Sequence, residues 1–194
     1  MDSPADQVNY TASERTSLKQ EYRRFFQVHK CVMLGTVDKD GKPDTSYACF
    51  AVEESDRFYV LVSGYSKHTA NMYENPQVSA MFVEDEMEAE NIFARQRLTL
   101  LCRAEYVNRS HHNWMRAVYL FRQRFREQYE TMTEMPDFRF YLLTPFSGTM
   151  ILGFAKAYRI SGKDLDEFVH VNPNNENPHM KDWEFPAVPT RGSE

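Results

Sequence analysis

The chain has 194 residues, 42% of them hydrophobic and 14% aromatic, with 28 acidic against 23 basic side chains for a net charge of -5. That length suits one domain with a sizeable core, and the acidic balance excludes a nucleic-acid binder whose affinity rests on whole-surface charge, because counterion release needs many cations on one face. With no run of about 18 apolar residues to span a bilayer and no basic-then-apolar leader at the start, the sequence reads as cytoplasmic, with neither a nucleic acid nor a membrane as partner.

Residues 1–12 are expected to be disordered, residues 13–171 to form the domain, and residues 172–194 to trail over the surface. Thr11 and Glu14 in "TASE" form a capping box, so a helix follows, with Leu18, Tyr22, Phe25 and His29 as its apolar stripe. "CVMLGTV" then reads as a strand, "DKDGKPD" as a turn carrying Gly41 and Pro43, and "TSYACFAVEE" as the returning strand, with "RFYVLVS" a third. Short connections of this kind make an antiparallel meander. A short helix is predicted over Lys67–Glu74, stopped at Asn75-Pro76 because the residue before a proline is pushed out of helical geometry. "QVSAMFV" and "RLTLLCRAEYV" resume the strands. A longer helix is expected from His111 to about Glu130, with Trp114, Val118, Phe121 and Phe125 on one face and Arg116, Arg122, Arg124 and Arg126 on a solvated other face. "FRFYLLTP" and "TMILGFAKAYRI" read as two more strands around a Ser147-Gly148 turn, and the Pro- and Asn-rich stretch from Asn172 shows no period. Six or seven short strands and three helices define a mainly β (α+β) chain. A small closed barrel and an open α+β sheet both fit that count.

Four features bear on chemistry. Cys31, Cys49 and Cys102 are odd in number, widely spaced and embedded in apolar runs, which predicts reduced core thiols rather than a disulfide or a zinc site. A helix starting near Ser66 offers free backbone N–H groups beside the Ser66 hydroxyl and the Lys67 ammonium, a setting for a phosphate or carboxylate, or else an ordinary cap with an exposed lysine. Arg95 and Arg97, two apart in a strand, would share one face and need an acidic neighbour, either a ligand or the run "EDEMEAE" from Glu84 to Glu90. His111 and His112 sit at a helix start and His29 near a helix end; His170 and His179 lie in or beside the tail, where one could reach a metal. The motifs of serine hydrolases, P-loop NTPases and Rossmann dehydrogenases are not found in the sequence.

Taken in order, "GTVDKDGKPDTSYACF", "SKHTANMYENPQVSAMFVEDE", "FARQRLTL" and "LLTPFSGTMILGFAKAY" resemble the pyridoxamine 5′-phosphate oxidase-like split barrels, specifically their haem-utilisation branch, the HugZ/HutZ type, over roughly residues 15–170. The resemblance implies a homodimer with ligand sites at the subunit interface. In its flavin-binding members the FMN phosphate is held by groups from this helix start and the arginine strand, here Ser66, Lys67 and Arg95; in its haem-handling members a haem occupies the interface. It further implies that Arg97 lies on the oxygen-binding side of the haem, that His68 is near the site, and that Asp137 in "MPDFRF" supports the histidine bound to iron. That ligand is assigned to His179, in "HMK", with His170 as the competitor. The chain departs from the family here: His179 stands nine residues after His170 and follows a proline instead of a glycine. The function implied is haem binding and degradation, a haem oxygenase-like oxidoreductase releasing iron and fed by an electron donor the sequence does not specify. An FMN-dependent oxidoreductase and a non-catalytic haem carrier are the alternatives.

Overall fold

The computed structural model describes residues 10–133 and 135–171. The segments expected to be disordered (1–12) and to trail (172–194) thus lie largely outside the described residues, and His179 lies wholly outside them. Tyr10 is described, and its ring packs 6.5 Å from that of Tyr158.

Helix α1 (Ala12–Val28) starts on the predicted capping box: the Thr11 hydroxyl accepts from the Glu14 N–H at 3.3 Å, and the Glu14 carboxylate accepts from the Thr11 N–H at 2.8 Å. Strands β1 (Cys31–Val37), β2 (Pro43–Val52) and β3 (Phe58–Ser63) form the expected meander. Gly41 turns between the first two with φ +81°, a left-handed conformation that glycine adopts without steric cost. Helix α2 (Lys67–Glu74) has the predicted ends, and β4 (Gln77–Val83) and β5 (Arg97–Val107) follow. These strands bury alternate residues. Val32, Leu34 and Thr36 of β1 and Leu98, Leu100, Cys102 and Ala104 of β5 point inward, where α1 inserts Leu18, Tyr22, Phe25 and Phe26. Phe26, Phe50, Phe58 and Phe82 meet there, mostly edge to face, with ring centroids 5.0–6.2 Å apart.

The sheet order is β3-β2-β1-β4-β5-β6-β7-β8, and β3 also pairs with β6 (Phe138–Ile151). That extra pairing closes six antiparallel strands into a barrel and rules out the open sheet. β7 (Ala157–Ser161) and β8 (Glu167–Val171) extend from the second half of β6, and β8 is a strand the sequence reading did not separate.

Several expectations are corrected. No turn occurs at Ser147-Gly148. β6 runs through it, and Gly148 is required because a Cβ there would stand 2.5 Å from the Thr99 carbonyl oxygen. The long helix from His111 is two helices, α3 (His112–Phe125) and α4 (Glu127–Thr133), broken at Arg126 with φ +49°. Arg124 is not part of a solvated face: its guanidinium donates to the carbonyls of Phe26 (2.8 Å) and His29 and lies over the Phe50 ring. Only Cys102 is a core thiol; Cys31 is exposed and Cys49 half-buried. A second apolar layer, with Tyr59, Phe121, Tyr129, Phe140 and Leu142, joins α3 and α4 to the outer side of the barrel.

Candidate functional site

The start of α2 is built by the turn that leaves β3. Gly64 passes so close to the 136–138 segment that a Cβ would lie 2.9 Å from the Asp137 carbonyl oxygen, and the Gly64 N–H donates to that oxygen at 2.8 Å. The Ser63 hydroxyl donates to Asp137 Oδ2 at 2.6 Å, while Asp137 Oδ1 has no hydrogen-bond partner among the described residues. The Thr69 hydroxyl closes the turn by donating to the Ser63 carbonyl at 2.6 Å. Asp137 and the Ser66–His68 helix start, singled out from unrelated stretches, are thereby neighbours.

At this helix start Ser66 is the N-cap in backbone geometry, yet its hydroxyl makes no capping hydrogen bond. Lys67 Nζ stands 3.6 Å from Asp44 Oδ1, an ion pair the sequence reading missed because Asp44 is reached only across the β1–β2 turn. His68 Nε2 is buried with no hydrogen-bond partner among the described residues. Burial holds the imidazole below its ordinary pKa, with the Asp44 carboxylate pulling the other way. His68 is therefore neutral at pH 7, a state in which one ring nitrogen carries a lone pair.

Arg95 and Arg97 do not form one cationic face. Arg95 caps a short 3-10 helix (Ile92–Ala94), and the strand begins only at Arg97. Arg95 pairs with the acidic run: it donates to the Glu84 carbonyl, at 3.1 Å through Nε, and lies 2.9 Å from Glu86 Oε1. Its neighbours line a cleft of about 810 Å³ that includes Arg24, His29, Glu84 and Glu86. Arg97 donates to the Arg95 carbonyl at 3.1 Å and has no carboxylate partner among the described residues.

One copy of the chain does not bring these groups together. Arg97 pairs with Val83 at one end of β4 and β5. The body of α2 lies at the other end, where Thr69 and Tyr73 line a cleft with Tyr106 and Tyr141, and the Tyr141 hydroxyl reaches the Thr69 carbonyl. From Arg97 to Tyr106 is nine residues of strand, about 30 Å of extended chain. His170 lies towards the Arg97 end: it pairs with Tyr158, which pairs with Met150, which pairs with Leu98. Its Nε2 stands 2.8 Å from the Ala155 carbonyl oxygen and its ring packs on Tyr158. It is held in a five-residue strand that ends at Val171, immediately before the segment expected to trail. On the outer face Tyr47, Met33 and Met81 face one another across β2, β1 and β4, with Leu101 nearby on β5; Tyr47 is 70% exposed. Among the described residues no cluster of three or more His, Cys, Asp or Glu side chains could hold a bare metal ion, and no helix is long and apolar enough to cross a membrane.

A six-stranded antiparallel barrel with α1 set into it and a short helix after the third strand is the split barrel, and the family model described as Pyridoxamine 5'-phosphate oxidase matches residues 18–151, so the chain belongs to that family. Within the family it falls in the HutZ-type branch. It is 40% identical over 154 residues to the protein called haem oxygenase HutZ of Vibrio cholerae, covering 79% of this chain and 87% of that one. A crystal structure of HutZ from Vibrio cholerae, described as a haem storage protein, superposes with a TM-score of 0.62 at 38% identity, over 66% of this chain and 89% of that one. ChuZ of Campylobacter jejuni superposes with a TM-score of 0.73 at 27% identity, over 81% of this chain and 65% of that one.

Proposed function

We propose that this chain is a cytoplasmic haem-binding protein that works as a homodimer and degrades the haem it binds. The observation that carries the reading is the 40% identity to a relative named for haem oxygenase activity, spread over most of both chains. The dimer is supported by the distance between the Ser66–His68 helix start and Arg97 within one copy, which a single ligand can bridge only with groups from two copies. The exposed stripe of Tyr47, Met33 and Leu101 supplies an apolar surface for the second copy to cover.

The bound haem, supplied with electrons from an outside donor, provides the oxidative chemistry. The protein residues bind, orient and hold protons. Ser66 and Lys67 receive an anionic group, which requires Lys67 to leave Asp44. Arg97, which has no carboxylate partner among the described residues, would present N–H donors to the bound haem and its oxygen chemistry. Asp137 fits the supporting role because Oδ1, with no hydrogen-bond partner among the described residues, can accept from an imidazole N–H while Ser63 fixes Oδ2. His179 is assigned to the iron. His170 fits less well, because its Nε2 is committed to the Ala155 carbonyl.

The test is the haem spectrum of His179→Ala and His170→Ala, with resonance Raman of the iron–histidine bond in Asp137→Asn. Loss of the native spectrum in His179→Ala alone supports the assignment. Loss in His170→Ala alone moves it to His170, and an unchanged spectrum in both rejects tail ligation. A monomeric mass by light scattering at micromolar concentration would sink the shared site. FMN binding is the second reading, favoured by the uncapped Ser66 hydroxyl at a helix start, where a phosphate would sit. Purified protein with flavin absorbance near 450 nm and no affinity for added haem would put that reading first (roughly the free cofactor's own band).

A further inference from the structure

Cys31 and Cys49, eighteen residues apart in sequence, are direct cross-strand partners on β1 and β2, with their sulfur atoms 3.7 Å apart. The Phe50 N–H donates to the Lys30 carbonyl at 3.2 Å, so the 30–50 pair is the hydrogen-bonded one and 31–49, next along the ladder, is not. In such non-bonded pairs the Cα atoms stand about 4.5 Å apart and the side chains lean together, just inside the span of about 4.4–6.8 Å that a disulfide bridges. Both side chains leave the same face of the sheet, and rotation about each Cα–Cβ bond is the movement needed.

The surroundings divide the two sulfurs into roles. Cys31 is exposed, open to a small oxidant. Cys49 is half-buried and faces an apolar cavity of about 200 Å³ lined by Leu61, Phe121, Phe125 and Tyr129. Burial, followed by the charge of Cys31, pushes the Cys49 thiol up to about 11, so it keeps its proton; the Arg124 guanidinium acts in the opposite sense. Arg124 is anchored on the His29 carbonyl two residues before Cys31, and its Nε is buried with no partner among the described residues. An exposed thiol, a cation close by and a protonated second thiol within contact distance make up the setting of a reactive cysteine with its resolving partner.

We propose that Cys31 and Cys49 form a redox-active thiol pair that a peroxide oxidises to an intrachain disulfide between β1 and β2. Cys31, as the thiolate, attacks one peroxide oxygen. An S–O bond forms, the O–O bond breaks, and the other oxygen leaves with a proton as water or an alcohol. The Cys49 sulfur then attacks the Cys31 sulfur, an S–S bond forms, and the S–O oxygen leaves as water with the Cys49 proton. Two electrons pass from the thiols to the peroxide. A small dithiol reverses the reaction. Cys102, fully inside the barrel with its sulfur turned to the Leu100 carbonyl, takes no part.

The test uses the full-length, reduced, native protein treated with hydrogen peroxide, quenched by thiol alkylation and digested with trypsin. Cleavage after Lys30, Lys39 and Arg57 separates the two residues, so the disulfide reads out as peptide 31–39 joined to peptide 40–57, and alkylatable thiols fall from three to one per chain. The pair should oxidise at least tenfold faster than Cys102 in the same sample. In Cys49→Ser the reaction should stop at a Cys31 sulfenic acid that a dimedone probe traps. Three retained thiols under peroxide that fully oxidises a free dithiol, links between chains in place of the intrachain link, or a link that includes Cys102 would each overturn the proposal.

Discussion

Asp44→Asn is the substitution that most directly asks whether the α2 start receives a ligand. In the structure Lys67 Nζ lies 3.6 Å from Asp44 Oδ1, with the two side chains 55% and 23% exposed. A pair so open to water contributes about 0.2–1 kcal/mol, so removing it should leave unfolding free energy almost unchanged. The same pair has to open before the ammonium can meet an anionic group, so its loss should favour binding by that amount, a factor of about 1.4–5 in Kd. Lys67→Ala should act in the opposite direction and weaken binding. Haem titration followed by absorbance and FMN titration followed by fluorescence quenching measure both variants on the same protein. If Asp44→Asn weakens both ligands, or Lys67→Ala leaves both untouched, the lysine is only an exposed residue on a short helix. A response confined to FMN would transfer the site from a haem carboxylate to a flavin phosphate.

Three further outcomes are expected. Arg97→Ala should retain haem and slow its turnover by about 10²-fold, as removal of a positioned donor does; equal turnover removes Arg97 from the reaction. His68 titrates below its ordinary value because it is buried, so as pH drops below about 6.5 the unfolded chain takes up a proton the folded chain resists, and stability falls until the folded pKa is passed. Urea unfolding of His68→Gln should show a shallower acid decline than the parent, and parallel curves refute the assignment. Gly148→Ala forces a Cβ to 2.5 Å from the Thr99 carbonyl oxygen, which should cost about 1–3 kcal/mol, read as a lower urea midpoint with unchanged slope; wild-type stability would mean β6 does not run through this position as described.

Much of the barrel was readable because its signals are local. Proline at 76 ends α2, Thr11 and Glu14 cap α1, and Gly41 turns β1 into β2. What escaped depends on long-range approach. Gly148 looked like a turn glycine, but its reason for being there is Thr99 on the neighbouring strand. The break at Arg126 carries no glycine or proline to mark it. The Cys31–Cys49 pairing escaped by one residue: the predicted turn, 38–44, is centred on Gly41 and would pair Cys31 with Ala51, whereas the observed register is centred on Asp40. Asp137 and the helix start meet only through β3–β6 closure, and the separation of Arg97 from Lys67 emerges only when β4 and β5 are laid side by side. Local charge at a helix start and a strand singled out Lys67 and Arg97; the family resemblance added Asp137, which nothing in the local pattern marks.

The two halves of β6 have different company, and this sets the order in which the chain can come apart. Phe140–Leu143 is flanked by β3 and β5, locked within the closed ring, whereas Gly148–Ile151 is flanked by β5 and β7. Beyond β7, the five residues of β8 have a strand partner on one side only among the described residues. Stability in such a structure is graded, and an edge strand opens at far lower free energy than a closed ring. In hydrogen exchange the amides of β8 should therefore lose protection first and as a group, while those of β1, β4 and the first half of β6 exchange only on global unfolding. The ring can stay shut while the strand carrying His170 peels back like the end of a tape, at the cost of withdrawing the Phe168 ring from the core.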